Sequence, residues 1–480
     1  MLFSSITFLY FFLPCAVLFY FMVPQKGRNF ILFVMSLLFY AWGEPVYVLL
    51  MLMQIVISFV LVLLMDRFRE ERAGRAFYML SVLLPFAALF YFKYFHFFME
   101  NLFGIRIKTA ALPIGISFYT FQIASYCIDV WHGRVKRQEN FITYAAYVTL
   151  FPQLVAGPIV RYSEIEQTLV KGMDSSELYG SLEQGIVRFA AGLGKKVLIA
   201  NVIGEFAAEV LALEQRGIAL SWAYAIAVSL QIYFDFSGYS DMAIGLGNIF
   251  GFHFPENFRY PFISKSISEF WRRWHITLGA WFRDYVYIPL GGNRVRMIRW
   301  IFNIFAVWFL TGLWHGAGWN FILWGLMFAV LLVMEKGCSR LSAGADISFP
   351  RYIAGFFRHL YVAAVIIISF LIFQNDTLTG AFADIQALAG CGSRIGHAAV
   401  KPEMDAYLLR NRIGILCIGL IGSTPVPLWL WQRAQERLNG IRFGAAAVRL
   451  LRVLFTAGLL LLCTAYLIDG SFNPFLNFRF

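Results

Sequence analysis

The sequence predicts an all-α, polytopic membrane protein with about ten to twelve membrane helices, some of them re-entrant. Three observations carry this reading. Of 480 residues, 60% are hydrophobic and only 14% charged, where a soluble domain carries nearer a quarter. Several apolar runs exceed the ~18 residues that mark a spanning helix. The basic residues behind a net charge of +12 fall in short clusters between those runs, which is the positive-inside pattern and not a nucleic-acid surface.

In chain order, Phe8 to Val23 reads as a retained first span, because the MLFSS start has no basic n-region and no cleavage site follows. Lys26 and Arg28 come next. A second span ends at Trp42-Gly43-Glu44-Pro45, and a third runs from Val46 to Met65, followed by Arg67, Arg69, Arg72 and Arg75. A fourth covers Ala76 to Phe98 and a fifth Ala111 to Trp131, before Arg134, Lys136 and Arg137. Cytoplasmic basic loops after spans one, three and five put the N-terminus outside. Pro152 and Pro158 interrupt Phe141 to Val160, which predicts a kinked or re-entrant segment. Gly185 to Phe206 mixes apolar residues with Arg188, Lys195 and Lys196, as a helix along the cytoplasmic interface does. Another span covers Leu220 to Phe236.

From Asp235 to Asn303 the pattern changes. Asp235 and Asp241 among glycines and aromatics predict amphipathic and re-entrant helices lining a cavity. Eight of the 13 tryptophans lie from Trp271 to Trp324, which supports membrane depth more than chemistry, since interface belts also collect tryptophan. Plain spans return at Tyr352 to Phe373, Ile413 to Trp431 and Val448 to Leu467, with an external loop from Asn375 to Arg412. The chain reads as one domain over residues 1–480: N-terminal spans to 140, a re-entrant core over 141–345, then C-terminal spans and an external aromatic tail over 346–480.

Chemistry concentrates in Trp300 to Met334, which has no Asp, Glu, Lys or Arg and a single histidine, His315, in Trp314-His315-Gly316-Ala317-Gly318-Trp319-Asn320. Two glycines predict a broken helix, tolerated at membrane depth only inside protein or beside a cavity, and an ionisable group there is a functional candidate. A second candidate, His275, follows Phe270-Trp271-Arg272-Arg273-Trp274, with Trp271 expected on the same helical face at i, i+4. Histidine both takes and gives a proton near neutrality. Lys195, Lys196, Arg272, Arg273 and Arg283 could receive donor phosphates, though positive-inside topology accounts for them equally well. GxSxG, Walker-A and HExxH motifs are missing, and six scattered cysteines give no metal or disulfide spacing.

The stretches LPIGISFYTFQ (112–122), FPQLVAGPIVR (151–161), YFDFSGYSDMAIGLG (233–247), ENFRYPFISKSISEFWRRWHITL (256–278), RDYVYIPLGGNR (283–294) and GLWHGAGWNFILWG (312–325) resemble, in order, the membrane-bound O-acyltransferases (MBOAT) in their bacterial polysaccharide-modifying branch. The resemblance implies a ring of helices around a tunnel or funnel in the bacterial inner membrane. It makes His315 the catalytic base and His275 a second catalytic histidine that positions the thioester. Trp271, Trp274, Arg272 and Arg273 become candidate substrate contacts, as do Trp314, Asn320, Asp235 and Asp241. It further implies an acetyl thioester such as acetyl-CoA as donor substrate with no bound cofactor, a periplasmic acetyltransferase partner, and a glycan acceptor, with peptidoglycan favoured over alginate or another exopolysaccharide. In the cell-wall branch a similar tail carries an acyl-accepting tyrosine where this chain has Asn477, so a relay there is an open expectation. The competing class is a transporter or channel gated at His315.

Overall fold

The computed structural model describes residues 1–107, 110–213, 215–342, 351–395, 402–440 and 443–470. These residues are helical, without a strand, and their contacts divide into two units. Seven helices are long and apolar enough to cross a membrane, or eight if one bent pair counts as a span.

The first unit is built mainly from Met1–Leu193 and Tyr239–Glu256. Its helices Phe8–Met22, Arg28–Gly43, Tyr47–Arg67, Arg72–Phe103 and Ile116–Trp131 follow the predicted runs closely. Phe3, Phe8, Phe12, Phe39 and Phe151 interlock in its core, with ring centroids 4.9–6.4 Å apart in tilted and edge-to-face pairs, arrangements that suit aromatic quadrupoles better than a face-to-face sandwich. The interrupted segment forms helices Phe141–Thr149 and Phe151–Leu154 and then leaves helical geometry, almost wholly buried. Its freed backbone is satisfied inside the protein: Ser36 Oγ accepts from Phe151 N, and Gln153 Nε2 donates to Tyr147 O, as low-dielectric surroundings demand.

The second unit is mainly Gly194–Gly238 and Asn257–Tyr466. Two corrections concern its start. Helix Ile218–Ile249 runs uninterrupted through Asp235 and Asp241, where amphipathic or re-entrant pieces were expected. Lys196, expected on an interfacial helix, is 2% exposed and pairs with Asp235 at 2.6 Å. In the first unit Arg188 pairs with Asp241 at 2.6 Å and with Glu256 at 2.7 Å. Each carboxylate thus meets a cation, which removes the cost that a lone charge imposes on a buried helix.

The predicted break after His315 falls between two candidate spans, Met297–His315 and Trp319–Cys338, joined by Gly316-Ala317-Gly318. The hairpin closes tightly because two glycines let the backbones touch: a Cβ on Gly312 would stand 2.4 Å from Phe321 O, and one on Gly325 2.3 Å from Trp308 O. After helix Arg351–Gln374, the expected span near Ile413 to Trp431 is also altered. Helix Pro402–Gly422 ends at Ser423-Thr424-Pro425, and Val426–Asn439 leaves at 68°, as the missing N–H of Pro425 favours. Gly444–Asp469 closes the described fold.

Candidate active site

His275 sits in the second unit at a break between two short helices, Ile267–Arg273 and Ile276–Phe282. It has left-handed backbone angles, φ 44° and ψ 52°, and is 1% exposed. The predicted common helical face of Trp271 and His275 is therefore absent, since the helix stops at Arg273. Tertiary hydrogen bonds hold the strained turn. Arg259 N donates to Arg273 O at 2.9 Å and Ile276 N donates to Asn257 O at 3.0 Å. Asn257 Oδ1 accepts from Thr277 Oγ1 at 2.9 Å and lies 3.1 Å from His275 Nδ1. With Oδ1 already an acceptor, the network assigns the proton to Nδ1. His275 Nε2 then carries a lone pair; it is shielded from solvent and has no hydrogen-bond partner among the described residues. Burial pushes the imidazole pKa down to about 3, so the ring is neutral near pH 7.

His315 ends its helix half-buried, its ring centroid 6.5 Å from that of His275. Trp314 is buried beside both, 5.8 Å from His275 and 5.0 Å from His315. Trp324 and Phe373 pack on His315 at 5.1 and 5.2 Å. A cavity of about 180 Å³ is lined by Trp271, His275, Leu278, Arg283, Trp308 and Thr311 among others. Arg283 pairs with Asp284 at 2.7 Å and keeps a side chain 62% exposed, so the lining extends from a buried imidazole to an exposed cation.

The remaining predicted residues divide by what they touch. Trp271 packs on Trp308, Trp324 and Phe328 at 4.5–5.6 Å. Trp274 is buried and stacks on Phe270 at 5.5 Å. Arg272 is exposed, whereas Arg273 bonds Glu269 at 2.9 Å; the Lys265 backbone N–H, then Arg273, hold the Glu269 carboxyl below its usual range. Asp235 and Asp241 are committed to Lys196 and Arg188, and Asp241 belongs to the first unit. Asn320 donates to Asn375 O at 2.9 Å; Asn375 in turn donates to Asp384, which binds Arg216 at 2.6 Å and Arg394 at 2.8 Å. Asn320 thereby anchors the tip of the histidine hairpin. Asn477 lies outside the described residues.

Sequence reasoning missed Asn257, Thr277 and Asn375. Asn257 and Thr277 stood inside a stretch that carried the resemblance, uncharged and thus overlooked; Asn375 had no signal.

The fold defines a class: a multi-pass, all-helical membrane protein with two adjacent histidines packed among tryptophans and, among the described residues, no group of three or more His, Cys, Asp or Glu fit for a metal. Comparison supplies the family. The MBOAT model, membrane-bound O-acyltransferase family, matches residues 133–374. The probable alginate O-acetylase AlgI of Pseudomonas aeruginosa is 37% identical over 403 residues, 82% of this chain and 76% of its own. That of Azotobacter vinelandii is 34% identical over the whole of both chains. The peptidoglycan O-acetyltransferase of Helicobacter pylori is 32% identical over 88% of this chain and 86% of its own. The chain belongs to the membrane-bound O-acyltransferase family and is an O-acyltransferase, which sets aside the gated channel.

Proposed function

We propose that the protein works in a bacterial inner membrane, taking acetyl from a cytoplasmic thioester such as acetyl-CoA and passing it across for O-acetylation of an exported polysaccharide. An alginate-type acceptor is favoured. The observation that carries this is similarity along full length to proteins named as alginate O-acetylases. Peptidoglycan, the acceptor favoured from sequence, is the second reading, supported by the Helicobacter pylori relative. A periplasmic acetyltransferase partner would complete transfer to the glycan.

In this reading His315 is the general base, taking the proton of the attacking hydroxyl, a contribution of roughly 10² to 10⁴-fold. His275 accepts through Nε2 from a second donor on the acceptor, such as a neighbouring hydroxyl, and so positions the substrate; as an acceptor it has no proton to offer a thioester carbonyl. The test is purified protein in liposomes given labelled acetyl-CoA on one side and alginate or peptidoglycan oligosaccharides, with the partner fraction, on the other. His315-dependent thioester consumption with label on the alginate oligosaccharide is expected. Label on peptidoglycan alone would replace the acceptor, and no consumption would defeat the acetyl-CoA reading.

A further inference from the structure

Two residues lining the 180 Å³ cavity, Trp271 and His275, each carry a ring nitrogen shielded from solvent and without a hydrogen-bond partner among the described residues: Trp271 Nε1 and His275 Nε2. Leaving such groups unmet is costly, and their chemistry differs. Asn257 fixes His275 as a lone-pair acceptor, whereas an indole N–H can only donate. One aromatic, low-dielectric cavity wall therefore contains a side chain with an unmet acceptor and a side chain with an unmet donor, both nitrogens shielded. Acyl transfer needs the donor, because the carbonyl oxygen gains negative charge, while the acceptor can hold a second hydroxyl of the attacking substrate.

We propose that this cavity holds the thioester's acyl group and that the Trp271 indole N–H donates to its carbonyl oxygen, acting as an oxyanion donor. This rests on the acetyl-transfer reading above. The acceptor's hydroxyl oxygen bonds the carbonyl carbon while its proton passes to His315. The C=O π pair moves onto oxygen, where Trp271 N–H stabilises it. Collapse restores C=O and breaks the C–S bond, and the leaving thiolate recovers the proton from the imidazolium. Nothing is oxidised or reduced. The volume is about six times the ~30 Å³ share of one water, which suits a short acyl group. Arg283, exposed on the same lining, suits the anionic part of the donor.

The test uses wild-type protein and acetyl-dethia-CoA labelled with ¹³C at the carbonyl, in which methylene replaces sulfur so that no leaving group departs. Isotope-edited infrared spectra should show the bound C=O stretch below its frequency in water-free aprotic solvent, and Trp271→Phe should remove the shift. In turnover, Trp271→Phe should lower kcat by about 10²-fold, the effect of losing one oxyanion donor, with KM within about threefold. A bound probe with an unshifted stretch overturns the Trp271 role alone, the outcome expected if the N–H merely faces the Trp308 ring. If the probe does not bind while acetyl-CoA is consumed, the cavity assignment falls; if neither happens, the donor reading itself has failed. If Trp271→Phe does not fold, an unshifted wild-type stretch still overturns the role, and Trp271→Tyr supplies the variant in which the shift should change.

Discussion

The helix Ile218–Ile249 and the turn at His275 treat buried polar groups in opposite ways. Along the helix, Asp235 and Asp241 are each closed by a cation at 2.6 Å. At the turn, His275 is anchored through Nδ1 alone, and its other nitrogen faces no described partner. Both environments are apolar, so the contrast lies in completion. A buried charge left single would destabilise the fold, so the helix pairs its charges; a neutral imidazole costs less to leave half-satisfied, and can wait for a ligand. Here the paired charges hold a helix, and the half-satisfied imidazole lies at the proposed site.

Breaking the site should have the largest effect. His315→Ala is expected to reduce acetyl transfer by at least about 10²-fold while the protein still elutes as a folded species from size exclusion; near wild-type turnover would remove His315 from the mechanism. Next comes the helix. Lys196→Met strands Asp235 and should cost about 3–5 kcal/mol of stability, whereas Lys196→Met with Asp235→Leu should be near neutral, read by thermal unfolding in detergent. If the double variant keeps its activity per folded molecule, the pair is structural; if activity is lost with stability intact, Asp235 returns as a substrate contact.

Asn257→Ala should reduce activity by about 10²-fold through loss of imidazole orientation, with Asn257→Asp recovering part of it by again accepting from Nδ1. Equal loss in both variants, with normal folding, would show that His275 needs no anchor. The smallest effect is in pH. The folded His275 pKa is pushed down to about 3 from 6.5. Between these values the unfolded chain binds a proton that the folded one refuses, so stability declines as pH falls from about 6.5 and levels off near 3. His275→Gln should flatten that decline in melts recorded at acid and neutral pH; an unchanged slope would assign it to other groups.

Much of the fold was legible because spans are long and their signal is local. Tyr47–Arg67 and Gly444–Asp469 could be read directly from apolar length. The helix through Asp235 could not be, since Lys196 and Arg188 lie far back in the chain and nothing local says that the charges will be met. The His315 hairpin was half legible: Gly316 and Gly318 marked a break, but a kink and a return look alike until Gly312 and Gly325 are seen in contact. His275 was found by its chemistry and misplaced in geometry. Trp274-His275-Ile276 contains no glycine to announce a left-handed residue; hydrogen bonds from Asn257 and Arg259 impose it from outside the segment.

That left-handed backbone also limits which amino acids position 275 can exchange into. At φ 44°, a β-branched side chain is strongly disfavoured, while asparagine, aspartate and histidine are the non-glycine residues that enter this region most readily. Aspartate would bring a buried charge with no cation described beside it. Asparagine is left as the replacement the chain can adopt without rebuilding the turn; its amide reaches the Nδ1 position and stops short of Nε2. A homologous enzyme could thus lose the imidazole here and keep the backbone and the hydrogen bond to Asn257, while giving up the acceptor at Nε2.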